Sequence, residues 1–121
     1  MNRKIVVTAK KSDWEQAKSA GAYTQSTVDS TLAEVGFIHC CFPEQVMDMV
    51  NRKYADQDDL MFLLVDPDKV TSEIRYEAPL SGRAGTFPHI YGPLNIDAVL
   101  AEIPLQKDEL GKFTTPPEIV A

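Results

Sequence analysis

The chain carries two histidines, and each sits in a tract built to hold it. His89 lies in Phe87-Pro88-His89-Ile90-Tyr91-Gly92-Pro93-Leu94, between prolines that fix the backbone and near a glycine that permits a tight turn or close approach. His39 lies in Gly36-Phe37-Ile38-His39-Cys40-Cys41. A neutral imidazole donates through one nitrogen and is oriented through the other. Two of them suit the hydroxyls or phosphate of a small ligand, if the two segments meet. Glu77 can serve as a general base, as acceptor for a ribose hydroxyl, or as ion-pair partner of Arg75 on the same strand face. Arg83, on a glycine-flanked loop, can close on a phosphate as a bidentate donor or remain a solvated charge. Tyr91 shares the face of His89 and can stack on a ring or pack in a core. The candidate catalytic residues are therefore His39, Glu77 and His89. The candidate ligand-binding residues are Tyr91, Arg83, Arg75 and Gly92. Against each stands a plainer role: a satisfied core histidine, a rigid corner, a surface charge.

Two rival chemistries use the same residues. His39, Cys41 and His89 are zinc-ligand types, but the chain has no CxxC or HxxxH spacing and its cysteines are adjacent, so no metal is expected. Cys41 shares a strand face with His39 two residues away, too stretched for a close thiolate–imidazole pair. Buried, inert thiols are the expectation. The acidic stretch 55–59 lacks the glycine and distal glutamate of a calcium loop.

These residues need elements to position them. Ile5 to Thr8 reads as a first strand. Ser12 and Glu15 have the spacing of a capping box for a helix running to Ala20 and stopped by Gly21, with Trp14 and Ala17 inward. Ser30 to Val35 can make one helical turn ended by Gly36. Phe37 to Cys41 then reads as a strand, with Phe37, His39 and Cys41 on one face and Ile38 and Cys40 on the other. Pro43 suits the first position of a helix whose inner face is Val46, Met49, Val50 and Tyr54. Leu60 to Val65, an unbroken apolar run, predicts a central strand. Ser72 to Glu77 predicts a strand antiparallel to it after the Asp66-Pro67-Asp68 turn. A glycine-containing loop at 78–86 leads into the His89 tract. Asn95 caps a brief turn and Ala98 to Leu105 reads as the last strand. The tail from Gln106 onward is polar and expected on the surface.

At 121 residues with 44% hydrophobic residues, the chain is expected to form one domain, 1–121, with its core over about 5–105 and a tail over 106–121. A net charge of −6 argues against non-specific nucleic-acid binding. The N-terminus has no apolar signal region, and no apolar run approaches the roughly 20 residues of a membrane span. A cytoplasmic protein with reduced cysteines and no membrane partner is expected.

Several segments together resemble a known family: Trp14, Gly21 with Tyr23, Gly36 through Cys40, Asp58-Asp59-Leu60, Tyr76-Glu77, and Phe87 through Leu94. They are similar to the bacterial and plant family called domain of unknown function 952, over roughly Ile5 to Leu105. The resemblance implies an α+β fold of ADP-ribosyltransferase-like build, a split antiparallel β-sheet with flanking helices and a ligand cleft between the half-sheets. It implies NAD or a related nucleotide as the cofactor to consider, which the residues themselves leave open. The His39 segment also resembles the histidine strand of the RNA 2′-phosphotransferase branch, with Cys41 where that branch has a small hydroxyl residue. Two departures stand out. The superfamily's first-strand histidine or arginine is replaced here by Val7 and Thr8, and Glu102 is the only glutamate near the usual catalytic position. Both argue against standard NAD-dependent transfer to a protein.

Two functional readings follow. One is a domain for a small phosphorylated or nucleotide-type ligand, with transferase-like chemistry at a ribose or phosphate, in which His39 and His89 position the ligand, Glu77 accepts, and Arg83 offsets charge. The other is a non-catalytic binding module that keeps the fold. The sequence gives neither the substrate nor the oligomeric state.

Overall fold

A strand as apolar as Leu60–Val65 has no face to give to water, so it needs cover on both sides. The structure, a computed structural model, describes residues 3–79 and 85–119 and puts this strand in the middle of a sheet. The elements run β1 (Ile5–Lys10), α1 (Lys11–Ala20), β2 (Ala22–Tyr23), α2 (Leu32–Val35), β3 (Ile38–His39), α3 (Pro43–Lys53), β4 (Leu60–Val65), β5 (Glu73–Glu77), β6 (Phe87–Tyr91), β7 (Leu94–Asn95) and β8 (Val99–Pro104). They form an α+β arrangement with two three-stranded antiparallel sheets, β1-β4-β8 and β3-β6-β5, and a small β2-β7 pair. A bridge joins the two larger sheets: Val6 N–H donates to Cys41 O at 2.7 Å and Cys41 N–H to Val6 O at 2.9 Å.

Strand alternation divides the core. Ile5, Val7 and Ala9 of β1 pack with Trp14 and Ala17 of α1 and with Ile38 and Ile90 of the second sheet. Val6 looks the other way, with Phe62, toward Val46 and Val50 of α3. Pro43 opens α3 as expected, and Gln45 Oε1 accepts from Phe42 N–H at 2.9 Å. Gly21 and Gly36 close α1 and α2 at φ +94° and +101°, the left-handed conformation that glycine reaches without a Cβ clash.

Three expectations are corrected. Ser12 caps nothing: α1 starts at Lys11, straight out of β1, and Glu15 pairs with Lys18 instead. The capping box that does form is Thr31–Glu34, with Glu34 N–H donating to Thr31 Oγ1 and Thr31 N–H to Glu34 Oε1. β5 does not pair with β4. A single 3-10 turn at Pro67–Lys69 carries the chain away, Asn95 fixes the exit by accepting from Thr71 N–H and donating to Lys69 O, and the free edge of β4 goes to β8. Finally, the tail is not merely superficial. Phe113 and Ile119 are buried in the α3-side core, and Asn51 holds both backbone groups of Phe113. The loop expected at 78–86 falls largely, with Arg83, outside the described residues.

Candidate functional site

The register of the second sheet places the histidines. Ile38, Ile90 and Ile74 lie side by side across β3, β6 and β5, and so do His39, His89 and Arg75. Cross-strand partners share a face, so the isoleucine row goes to the core and the histidine row to the opposite face. Phe37, Tyr91 and Glu77 are each two residues from that row and join it.

His89 is the buried centre of this cluster, 1% exposed. The Phe37 ring stacks on it with centroids 4.1 Å apart, and the His39 ring meets it edge-on at 5.5 Å. Its Nδ1 lies 3.0 Å from Glu77 Oε1; a carboxylate only accepts, so Nδ1–H donates. The Tyr91 hydroxyl donates to the same oxygen. These two hydrogen bonds, Tyr91's first, hold the Glu77 carboxyl below the usual range, and the same carboxylate pushes the Tyr91 phenol up. His89 Nε2 is buried with no partner among the described residues. Arg75 pairs with Glu73 at 3.0 Å and lays its guanidinium 4.4 Å from the Tyr91 ring centre. Glu77 therefore answers to His89 and Tyr91, and Arg75 takes Glu73 as its ion-pair partner.

His39 stands at the β3 end of the same row. It lines a cavity of about 70 Å³ at the seam between the two sheets. Val6 and Thr8 of β1 form one wall, Ser26 and Thr27 another, and Met49 and Lys53 of α3 a third, with Phe87 alongside. Burial first, then His89 and Lys53, lowers the His39 pKa to about 4, so the ring is neutral at pH 7. Thr8 Oγ1 is buried without a partner among the described residues. Such a volume has room for a few waters or one small polar group, not a whole nucleotide.

The candidate residues thus separate. His39, Glu77, His89, Tyr91 and Arg75 share one sheet face, but only His39 reaches the cavity. Gly92 ends β6 at φ +153°, where a Cβ would come within 2.5 Å of Ser72 Oγ, a close backbone approach inside the fold. A larger groove, about 760 Å³ beside Arg3, Met47, Leu64 and Glu118, contains none of the candidate residues. Burial raises the Cys41 thiol to about 12 and Cys40 well above its ordinary value, which leaves both as protonated thiols. Among the described residues no three His, Cys, Asp or Glu side chains are placed to hold one metal ion. Nor is any described helix long and apolar enough to cross a membrane.

Thr8, Ser26 and Lys53 line the cavity without having been picked out as site residues. Thr8 had a signal: it alternates with Val6 and is the hydroxyl in a β-branched run. Lys53 follows Met49 by one helical turn. Ser26 had none, because it meets His39 only through the fold.

Comparison with known proteins gives a consistent picture. The family model described as "Protein of unknown function (DUF952)" matches residues 8–102. The crystal structure of protein CC0527 from Caulobacter crescentus is 29% identical, with a TM-score of 0.82, over 98% of this chain and 99% of that one. A solution NMR structure of the same protein gives 29% identity and a TM-score of 0.74 over 90% of each chain. A comparison with curated proteins returns no match.

Proposed function

The chain belongs to the DUF952 family, and we propose that it is a small-ligand-binding domain of ADP-ribosyltransferase-like build whose site is the cavity between the two three-stranded sheets. One observation carries this reading. At the seam between the sheets, the His39 ring, the Lys53 side chain and the Thr8 hydroxyl, which has no partner among the described residues, line one small space. The ligand is of nucleotide or ADP-ribose type, with one small polar group inside the cavity and the rest outside it.

Binding is better supported than base catalysis. A histidine with a pKa of about 4 is a weak base at neutral pH, though still a good hydrogen-bond acceptor. Glu77 is engaged by Tyr91 and His89, and His89 Nε2 lies in the interior beside the Phe37 stack. These contacts favour the second reading, a module that binds without turnover. In the transferase reading, His39 positions the ribose and Glu77 acts through His89.

An NMR titration with NAD, ADP-ribose and adenosine 2′-phosphate tests the proposal. Shifts at Thr8, Ser26, His39 and Lys53 are expected. Silence across the panel at millimolar ligand overturns it. Product analysis of the same mixtures separates the readings: cleavage or transfer supports the enzyme, and unchanged bound ligand supports the module.

A further inference from the structure

Ser26 is 2% exposed and lies on the irregular stretch between β2 and α2. It grips His39 twice. The Ser26 carbonyl accepts from His39 N–H at 3.0 Å, and Ser26 Oγ lies 3.0 Å from His39 Nδ1. The same Oγ lies 2.5 Å from Phe37 O. A serine hydroxyl has one proton, and a carbonyl oxygen can only accept. The proton must therefore lie toward Phe37; otherwise two oxygen lone pairs would face each other at that distance. What remains on Oγ toward His39 is a lone pair, so that contact is attractive only if Nδ1 carries the ring proton. In the neutral ring Nε2 is then bare.

We propose that Ser26 fixes His39 in its Nδ1–H tautomer, so that the ring offers the cavity an acceptor nitrogen and the site selects a sugar-type hydroxyl, not a phosphate, at His39. The selection rests on the cavity reading above; the tautomer does not. A hydroxyl donates to the bare nitrogen and can accept from Thr8, whose Oγ1 has no partner in the same wall. A fully ionised phosphate ester, such as the diphosphate of a nucleotide, has no proton to give and would set its oxygens against the Nε2 lone pair. Any anionic part of the ligand belongs instead with Lys53, the cation in the cavity wall. Ser26 is thus a positioning residue that acts through His39.

Imidazole ¹⁵N spectra of the full chain at pH 7 without ligand test the first half. The Nε2 resonance of His39 should lie in the unprotonated range and Nδ1 in the protonated range; the reverse order overturns the proposal. Ribose, ADP-ribose and dimethyl phosphate, a phosphate with no proton left at pH 7, then serve as probes. The two ribose probes should move His39 Nε2 toward the hydrogen-bonded range while dimethyl phosphate leaves it unmoved. If dimethyl phosphate alone moves it, the hydroxyl selection fails while the cavity stands as the site. If no probe moves it, selection and cavity reading fail together. Ser26→Ala should mix the tautomers and weaken ADP-ribose binding about tenfold, the loss of roughly one hydrogen bond. An unchanged tautomer in that variant also overturns the role of Ser26. Should Ser26→Ala not fold, the wild-type spectrum still decides the tautomer.

Discussion

The two three-stranded sheets of this protein are built to different ends. In β1-β4-β8 the central strand is apolar on both faces, and Phe62, Leu63 and Val65 are fully buried. In β3-β6-β5 one face is an isoleucine row in the core, and the other holds two imidazoles, a carboxylate, a phenol and a guanidinium. The edge strand β5 is largely exposed, with Tyr76 46% open to solvent and stacked on Phe42. The first sheet is a scaffold whose residues are replaceable by anything apolar of the right shape. The second keeps polar groups that contribute less to stability than a hydrophobic set would, and such groups mark sites.

Substitutions should reproduce this contrast in size. Leu63→Ala, at the middle of β4, deletes a fully buried side chain covered on both sides. It should cost about 3–5 kcal/mol in urea unfolding, a large share of a small domain's stability. A cost under about 2 kcal/mol would mean that the first sheet is not the scaffold. His89→Ala empties an equally buried position but one held by a ring stack and a hydrogen bond to Glu77. It should cost less, about 2–3 kcal/mol. The Tyr91 hydroxyl proton, monitored by NMR, should report the altered Glu77 carboxylate. A cost equal to that of Leu63→Ala would erase the distinction between the sheets.

pH should separate the sheets next. The folded pKa of His39, about 4, lies below the value near 6.5 of an unfolded histidine. As pH falls below about 6.5 the unfolded chain takes up a proton that the folded chain refuses, so stability drops until about pH 4. The loss should be about 1–2 kcal/mol after allowing for the partial exposure of the ring. His39→Gln should flatten the curve in that window only. Glu77, whose folded pKa is depressed, makes its own loss below its ordinary carboxylate range, at lower pH. A wild-type curve flat from pH 6.5 to 4 would remove the case for a neutral His39.

How much of this was legible in the residues depends on distance along the chain. The Val46, Val50, Tyr54 spacing gave α3, and the unbroken run Leu60–Val65 gave the central strand, because each is a local pattern. Alternation put Phe37, His39 and Cys41 together, and the structure sets His39 opposite His89. The sheet to which β5 belongs was not legible. A turn such as Asp66-Pro67-Asp68 looks the same before a hairpin as before a crossover, and Asn95, more than twenty residues away, decides between them. Phe113 and Ile119 were hidden by the polar residues around them. Ser26 was hidden because its partners, Phe37 O and His39 Nδ1, are brought to it by tertiary contacts. The family resemblance compared first-strand positions by residue type and set Thr8 aside; the cavity brings it back as a wall residue.

Thr8 gives the smallest and most pointed test. It is 8% exposed, on the scaffold sheet, yet its hydroxyl has no partner among the described residues and borders the cavity at the seam with the other sheet. A buried idle hydroxyl costs stability, and valine offers the same shape and the same preference for a strand. Thr8→Val should therefore leave the fold unchanged or raise its stability by up to about 1 kcal/mol. The same substitution should weaken binding of a ribose-bearing ligand several-fold, since the cavity loses a hydroxyl that could accept from or donate to it. The opposite signs are what matter. A scaffold residue gains stability or stays neutral when its polar atom is removed, and a site residue loses affinity. If Thr8→Val lowers stability by about 1 kcal/mol or more, the hydroxyl has a partner, an ordered water being the simplest, and belongs to the scaffold. If stability rises while affinity holds, the hydroxyl is idle in both roles, and the cavity is read by His39 and Lys53 alone.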